Sequence, residues 1–80
     1  MLVKVKLFGP AKKAAGCSII ELEVRTGNDA IEELKKYSVE LEKLINISQV
    51  WVNGEKIDLS KLLNEGDELA ILPPMSGGSI

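Results

Sequence analysis

The beginning of the sequence alternates between apolar and charged residues in two separate segments, and this pattern constrains the fold more than any other feature. In residues 2–8 and 18–24, every second residue is a valine, leucine or isoleucine. Lysines alternate with them in the first segment and glutamates in the second. Such a pattern is typical of strands with one buried face and one face in water. Because a short loop joins the segments, they predict an antiparallel hairpin.

One main helix is predicted after the hairpin. Thr26 can cap its first turn, and acidic residues near the start with Lys35 and Lys36 near the end suit the helix dipole. Residues 38–46 either extend this helix or form a separate turn. The loop of residues 11–16 can hold a helical turn.

Two further strands are predicted in the second half of the chain. The first covers residues 50–52 and ends at the Asn53–Gly54 turn, after which residues 55–57 are a candidate return strand. Residues 58–63 are predicted to form a helical turn. The last strand covers residues 68–72. The order predicts an α+β fold, with a mixed sheet of four to five strands and the main helix packed on one face.

Composition limits the classes of function. Eighty residues form one domain, predicted here as residues 1–74 followed by a flexible tail at 75–80. The chain has no histidine, which removes the commonest general base and metal ligand, and no metal or bound cofactor is expected. A net charge of −2 gives no drive toward nucleic acid or a membrane surface. A single cysteine, no signal peptide and no long apolar run predict a cytoplasmic protein.

The C-terminal tail is the most informative feature of the second half. Pro73 and Pro74 end the last strand because neither can donate to a sheet ladder. Gly77 and Gly78 lack a Cβ atom and can therefore thread a narrow slot. Extended, residues 73–78 reach roughly 20 Å. On composition alone, a frayed glycine-containing end is the favoured explanation of the same residues.

Four segments resemble the ubiquitin-like sulfur-carrier family that includes the molybdopterin synthase small subunit. The ending Pro-Pro-x-Ser-Gly-Gly at residues 73–78, after Gly66–Ile71, closely resembles the ending of that family. Leu7–Phe8 with the following lysines and Gly16, Thr26 before an acidic helix, and Val52–Glu55 are similar to the family's first loop, helix start and central turn. The resemblance spans nearly the whole chain.

This resemblance implies a β-grasp fold, as in ubiquitin, and a chemistry centred on Gly78. In the family, an E1-like adenylyltransferase uses ATP to activate the carboxylate of the last glycine, and a sulfur donor converts the product to a thiocarboxylate. The tail then enters the molybdopterin synthase large subunit and delivers sulfur to a pterin precursor. The carrier is not catalytic alone, which agrees with a chain that lacks histidine.

One departure from the family concerns Ser79 and Ile80, which follow Gly78. While they remain, Gly78 has a peptide carbonyl and no free carboxylate to adenylate. Three explanations are open: a peptidase removes them, the protein has another role, or they are an addition to the natural sequence. We favour processing by a peptidase.

Further candidate residues are predicted on a partner-binding surface and elsewhere. Pro73, Pro74, Met75 and Ser76 are predicted to contact the partner where the tail leaves the domain. Trp51 is a candidate for the same surface, although the short strand leaves its direction open. Cys17 is interpreted as a semi-buried packing residue. The carboxylates of Glu65, Asp67 and Glu68 are interpreted as parts of a turn and a solvated strand end.

Other functions are compatible with the same tail. A carrier for thiamine or tRNA thiolation and a ubiquitin-like protein modifier use similar chemistry. A non-catalytic β-grasp interaction module belongs to a different class, and it would keep its function without Gly77–Gly78.

Overall fold

A four-stranded sheet and three helices form the fold of the computed structural model, which describes residues 1–74. The predicted tail, residues 75–80, lies outside the described residues. The elements in chain order are β1 (Leu2–Leu7), α1 (Gly9–Ala15), β2 (Ile19–Glu23), α2 (Gly27–Lys35), α3 (Val39–Ile47), β3 (Gln49–Val52) and β4 (Glu68–Leu72).

The sheet has the strand order β2-β1-β4-β3. β1 and β2 form the predicted antiparallel hairpin, and β3 pairs antiparallel with β4. In the centre, β1 and β4 run parallel, although they lie at opposite ends of the described chain. The predicted mixed sheet and β-grasp architecture are therefore confirmed. The parallel pair needs a long crossover, and that crossover contains all three helices.

The core lies between the sheet and the helices. Alternate residues of all four strands face it, as the two-residue periodicity of the first segments predicts. Helices α2 and α3 complete it with Ala30, Leu34, Leu41 and Ile45. No polar or charged side chain within residues 1–74 is buried. No helix in this part of the chain has the length and apolar character that crossing a bilayer requires.

The start of α2 is held by the predicted capping contacts. The Thr26 hydroxyl accepts a hydrogen bond from the Asp29 amide at 3.1 Å, and the Thr26 amide donates to the Asp29 carboxylate at 3.3 Å. Residues 39–46 lie in a separate helix, α3, and Ser38 is its N-cap: the Ser38 hydroxyl accepts a hydrogen bond from the Leu41 amide at 3.0 Å. Tyr37, between the helices, is half exposed, so the core contact here comes from Leu41.

Residues 55–63 differ from the prediction. Only Glu55 pairs back, with Val52, and residues 58–63 contain isolated turns and a bridge in place of a helical turn. The cause is a set of contacts with the start of α2. The Leu59 carbonyl accepts from the Asn28 amide at 3.0 Å, and the Leu63 amide donates to the Arg25 carbonyl at 2.8 Å. These bonds draw the segment away from β3.

Candidate functional site

The candidate site is the end of β4, from which the chain continues toward the two glycines. β4 lies between β1 and β3, and its residues Leu69 and Ile71 are fully buried. Leu72 is paired with Gln49, so the chain is fixed up to the last residue before the prolines. A central strand paired on both sides is a rigid base for a presented tail. The predicted site residues Met75, Ser76, Gly77 and Gly78 lie outside the described residues.

An apolar cleft of about 260 Å³ lies beside this strand end. Its walls are Phe8, Gly9 and Pro10 on one side and Leu72, Pro73 and Pro74 on the other. Pro73 is partly buried and Pro74 is exposed, so both predicted contact residues lie at the surface where the tail begins. An exposed apolar cleft of this kind is suited to contact with another protein.

Phe8 belongs to this surface and was missed as a candidate from the sequence. Its side chain is 46 % exposed and lines the cleft directly. The signal for it was present in the alternation of β1, because Phe8 occupies the outward register of Lys4 and Lys6. Phe8 matters here because it adds to a contiguous apolar cleft with Leu72, Pro73 and Pro74, and contiguous exposed apolar surface is typical of protein contacts.

Trp51 faces the side of the sheet opposite the helices. Its neighbours Val50 and Val52 are buried in the core, with 8 % and 4 % of their surface exposed. Because side chains alternate along a strand, Trp51 points outward, and its direction is thereby settled. Its indole nitrogen donates to the Gln49 side-chain oxygen at 3.0 Å.

The outward face around Trp51 continues toward the end of β4. Trp51 is paired with Ala70, and Leu72 lies two residues further along the same face. All three side chains are partly buried. We call Trp51, Ala70 and Leu72 the outer patch. The outer patch shares Leu72 with the apolar cleft, so the two surfaces are continuous at the tail exit.

Cys17 is exposed, which corrects the expectation that it packs in a semi-buried position. It lies in the loop after α1 and before β2, outside the core. Its sulfur lies 3.9 Å from the carbonyl oxygen of Ala15, the last residue of α1.

The carboxylates near the start of β4 have structural partners. Asp67 accepts from the Asn53 side-chain amide at 3.0 Å and from the Asn64 amide at 2.8 Å, and Glu65 accepts from the Leu2 amide at 3.0 Å. Glu68 forms an ion pair with Lys6 at 3.1 Å. These contacts agree with the turn and strand-end interpretation. Residues 1–74 contain no group of three or more side chains arranged to hold a metal ion.

Asp58 has a pKa below its ordinary value, and the cause is local. The Ser60 hydroxyl and the Ser60 amide both donate to the same Asp58 carboxylate oxygen, at 2.7 and 2.9 Å, and stabilise the charged form. Asp58 lines neither the cleft nor the outer patch, and its shifted pKa belongs to a surface turn.

The sheet order and the helices packed on the sheet define a ubiquitin-like β-grasp protein whose last described strand is central in the sheet. The profile of the ThiS family matches residues 5–78, and the chain belongs to this family. The resemblance to ubiquitin-like sulfur carriers is thereby confirmed.

Individual relatives agree with this family. The chain is 33 % identical over 81 residues to a molybdopterin synthase sulfur carrier subunit of Dictyostelium discoideum, with 94 % of each chain covered. Its structure is similar to that of small archaeal modifier protein 1 (SAMP1) from Haloferax volcanii, with a TM-score of 0.85, 30 % identity, and coverage of 98 % of this chain and 100 % of that one. It is also similar to a chain in the complex of subunits 1 and 2 of the molybdopterin-converting factor from Helicobacter pylori, with a TM-score of 0.76, 25 % identity, and coverage of 94 % and 96 %.

Proposed function

We propose that this protein is a sulfur carrier whose Gly78 carboxylate is adenylated, converted to a thiocarboxylate and used to donate sulfur in molybdopterin biosynthesis. The observation that carries the proposal is the family match, which extends through the tail and ends at Gly78. The Dictyostelium discoideum relative is a molybdopterin synthase sulfur carrier subunit, which supports molybdopterin as the product. The geometry supports it as well, because β4 fixes the chain until Leu72.

The proposed chemistry needs a partner for activation. The carboxylate of Gly78 attacks the α-phosphate of ATP in an E1-like adenylyltransferase, and pyrophosphate leaves. Hydrosulfide or an equivalent sulfur donor then attacks the acyl carbon, AMP leaves, and the thiocarboxylate remains on Gly78. Adenylation is required because a carboxylate is a poor electrophile. The carrier supplies only the acyl group and needs no bound cofactor of its own.

The second proposed partner is the molybdopterin synthase large subunit. The Helicobacter pylori structure contains subunits 1 and 2 of the molybdopterin-converting factor in one complex, which supports a two-subunit assembly for this chain. The continuous apolar surface formed by the cleft and the outer patch is suited to such a contact, since exposed apolar surface beside a rigid strand end favours docking. Met75 and Ser76 then lead the glycines into the large subunit.

Removal of Ser79 and Ile80 by a peptidase is part of the proposal. Adenylation requires a free carboxylate at Gly78, and in this sequence Gly78 is followed by Ser79.

The cytoplasmic location expected from the sequence stays a prediction.

A protein modifier is the second candidate function. It is favoured by the similarity to the Haloferax volcanii small archaeal modifier protein, at 30 % identity over nearly the full chain. A modifier and a sulfur carrier share acyl activation but differ in the final acceptor, a lysine amine in the first case and a sulfur-accepting small molecule in the second. Carriers for thiamine or tRNA thiolation differ from the main proposal only in the sulfur acceptor, which is a thiamine precursor in one case and a tRNA in the other.

Reconstitution with purified partners tests the proposal. The chain ending at Gly78 is loaded with sulfur by the E1-like enzyme, ATP and sulfide, and is then mixed with the large subunit and the pterin precursor. We expect molybdopterin to form with this chain and not with a matched chain that ends at Ser76. If both chains give the product, the tail is not the sulfur carrier. If the loaded chain instead forms conjugates with lysines of added proteins and yields no molybdopterin, the modifier function replaces the main proposal.

A further inference from the structure

The outer edge of β3 carries a free backbone hydrogen-bonding position at Val50. β3 is the last strand of the sheet, so one of its edges has no neighbouring strand. Val52 exchanges two backbone hydrogen bonds with Glu55 on that side, at 2.8 and 3.0 Å. Outward and inward positions alternate along an antiparallel strand, so the amide and carbonyl of Val50 point to the same edge. No backbone hydrogen bond joins Val50 to the return segment within residues 1–74.

The edge is open at Val50 because the return segment leaves it. After Glu55 the chain turns toward α2, where the Leu59 carbonyl accepts from the Asn28 amide at 3.0 Å. Leu59 packs so closely on Gly27 that a Cβ atom on the glycine would lie 2.8 Å from the Leu59 Cδ2 atom. A fifth strand therefore stops at its first residue, and a gap opens between β3 and residues 56–59.

This gap is a groove of about 380 Å³, which we call the β3-edge groove. The side chains of Ile31, Ile45 and Leu59 line it, and Ile57 lies at its rim with 36 % of its surface exposed. An apolar groove beside an unpaired strand edge has the features of sites that accept an added strand. None of its lining residues lines the apolar cleft at the tail exit.

The charge of the groove is positive, although the chain as a whole is acidic. Lys35 and Lys56 are its charged lining residues, and no lining residue carries a carboxylate. Glu32 lies one turn before Lys35 on α2, and its Oε2 atom is 3.7 Å from the Lys35 Nζ atom. The glutamate side chain is 72 % exposed and lies outside the groove lining. An exposed pair of this kind is weak, so Lys35 can exchange it for another carboxylate.

We propose that the β3-edge groove binds an extended peptide segment of a partner protein that carries acidic residues on both sides of a short apolar stretch. The segment pairs with the amide and carbonyl of Val50, places an apolar side chain against Ile31 and Ile45, and directs carboxylates toward Lys35 and Lys56. A second copy of this chain fits less well, because an edge-to-edge pair would bring the lysines of both copies together. The inference goes beyond sulfur transfer, because the groove shares no lining residue with the apolar cleft at the tail exit.

The test uses the full chain and a synthetic peptide, acetyl-Glu-Glu-Val-Thr-Val-Glu-Glu-amide, followed by ¹⁵N-labelled amide NMR. We expect saturable shifts centred on the Val50, Lys35 and Lys56 amides. The same peptide with lysine in place of each glutamate is expected to bind at least about tenfold more weakly, because like charges oppose each other across an interface. N-methylation of the peptide at the nitrogen that pairs with Val50 is expected to weaken binding about fivefold, the effect of one lost backbone hydrogen bond.

Charge-swap variants give the specificity control. Lys56→Glu is expected to weaken binding of the acidic peptide and strengthen binding of the lysine peptide. Lys43→Glu, on an exposed position of α3 outside the groove lining, is expected to change neither. The inference is overturned if the Val50 amide does not shift with either peptide, which is the result expected if the lysines only protect the edge from pairing. Equal binding of the two peptides overturns it as well.

Thiocarboxylation of the Lys56→Glu chain ending at Gly78 is measured separately. Loss of peptide binding at the groove and loss of the carrier function can therefore be distinguished.

Discussion

Asn53 is the one residue other than glycine with a positive φ in the described part of the chain, at +51°. With Gly54 at +81° it forms the tight turn between Val52 and Glu55. Its side chain also connects two turns: the amide nitrogen donates to Asp67, and the side-chain oxygen accepts from the Glu68 amide, both at 3.0 Å. Asparagine adopts this backbone conformation more readily than other residues with a Cβ atom, and here it also aligns the start of β4.

Substitution of Asn53 separates these two contributions. Asn53→Gly keeps the turn but loses both side-chain hydrogen bonds, and we expect it to lower the free energy of unfolding by about 1–2 kcal/mol. Asn53→Ala adds backbone strain, and we expect a total loss of about 2–4 kcal/mol. Urea unfolding of both variants measures the difference. Equal losses for glycine and alanine would show that the left-handed backbone carries no cost here.

Gly27 is required for a different reason, the close approach of Leu59. A Cβ atom at Gly27 would lie 2.8 Å from Leu59 Cδ2 and 3.2 Å from its Cα atom, so both the side chain and the backbone would have to shift. The Asn28 amide, one of the free donors at the start of α2, is bonded to the same residue. Gly27 and Asn28 together fix the path of residues 56–59.

The Gly27→Ala variant is therefore expected to lose about 1–3 kcal/mol of stability through overpacking. The control is the same substitution in a Leu59→Ala background, where the contacting leucine atoms beyond Cβ are absent. We expect the added cost of Gly27→Ala to be clearly smaller there, as double-mutant cycles show for residues in direct contact. Additive losses in thermal or urea unfolding would contradict the proposed packing contact.

At the level of elements, the sequence pattern correctly predicted those strands and helix ends that are determined by neighbouring residues. The alternation of β1 and β2 and the capping residues of α2 were sufficient for their correct prediction, because burial on one face and capping of free amides are encoded by near neighbours. Residues 38–46 stayed ambiguous because a short helix with one apolar stripe and a turn that packs two leucines share the same residues. The Ser38 cap decides between them in the structure.

The path of residues 55–63 was not predictable in the same way. Their leucines and turn residues suit a helical turn. Their path is instead determined by hydrogen bonds from Leu63 to Arg25 and from Asn28 to Leu59, and each bond joins residues more than thirty positions apart. Such long-range contacts override local propensity. The apolar surface at the tail exit was also only partly predictable: Trp51, Pro73 and Pro74 were named from the sequence, and their contact with a partner stays a prediction, whereas Phe8 was added when the structure placed it beside Leu72.

The position of Trp51 on β3 gives a prediction for the partner surface. Trp51→Ala is expected to weaken binding to the molybdopterin synthase large subunit by roughly 30- to 100-fold, as buried aromatic anchors often do. The matched control is Tyr37→Ala, which removes a half-exposed aromatic residue between α2 and α3, away from the sheet face. Titration calorimetry with the large subunit measures both, and thermal unfolding verifies that the variants are folded. Unchanged affinity for Trp51→Ala would exclude the outer patch from the interface.

At the scale of the whole molecule, the sheet order links the first and last strands. β4 inserts between β1 and β3, so the chain that leads to Gly77 and Gly78 starts from the most buried strand pair of the fold. Periodicity alone predicted an α+β sheet, whereas the β-grasp arrangement came from the resemblance to sulfur carriers. The parallel pairing of β1 with β4 brings together residues more than sixty positions apart, which no local pattern encodes.

Two surfaces with different lining residues lie on this sheet. The cleft and the outer patch lie beside the end of β4, while the β3-edge groove lies along the outer edge of the sheet and shares no lining residue with the cleft. The two regions meet at Gln49, which lines the groove, pairs with Leu72 and accepts a hydrogen bond from Trp51. The proposed sulfur carrier would bind an activating enzyme and an acceptor enzyme in turn through its tail exit. In the binding mode proposed for the groove, a third protein would contact none of the residues that line the cleft.

The mass of the intact protein after activation tests the central claim most directly. The chain ending at Gly78 and the full chain ending at Ile80 are each incubated with the E1-like enzyme, ATP and sulfide, and their masses are compared by intact-protein mass spectrometry. We expect the shorter chain to gain the mass difference of one sulfur in place of one oxygen, and the longer chain to stay unchanged. If the shorter chain shows no exchange under conditions in which the enzyme consumes ATP with its own known carrier, Gly78 is not the sulfur-bearing residue and the proposed function is contradicted.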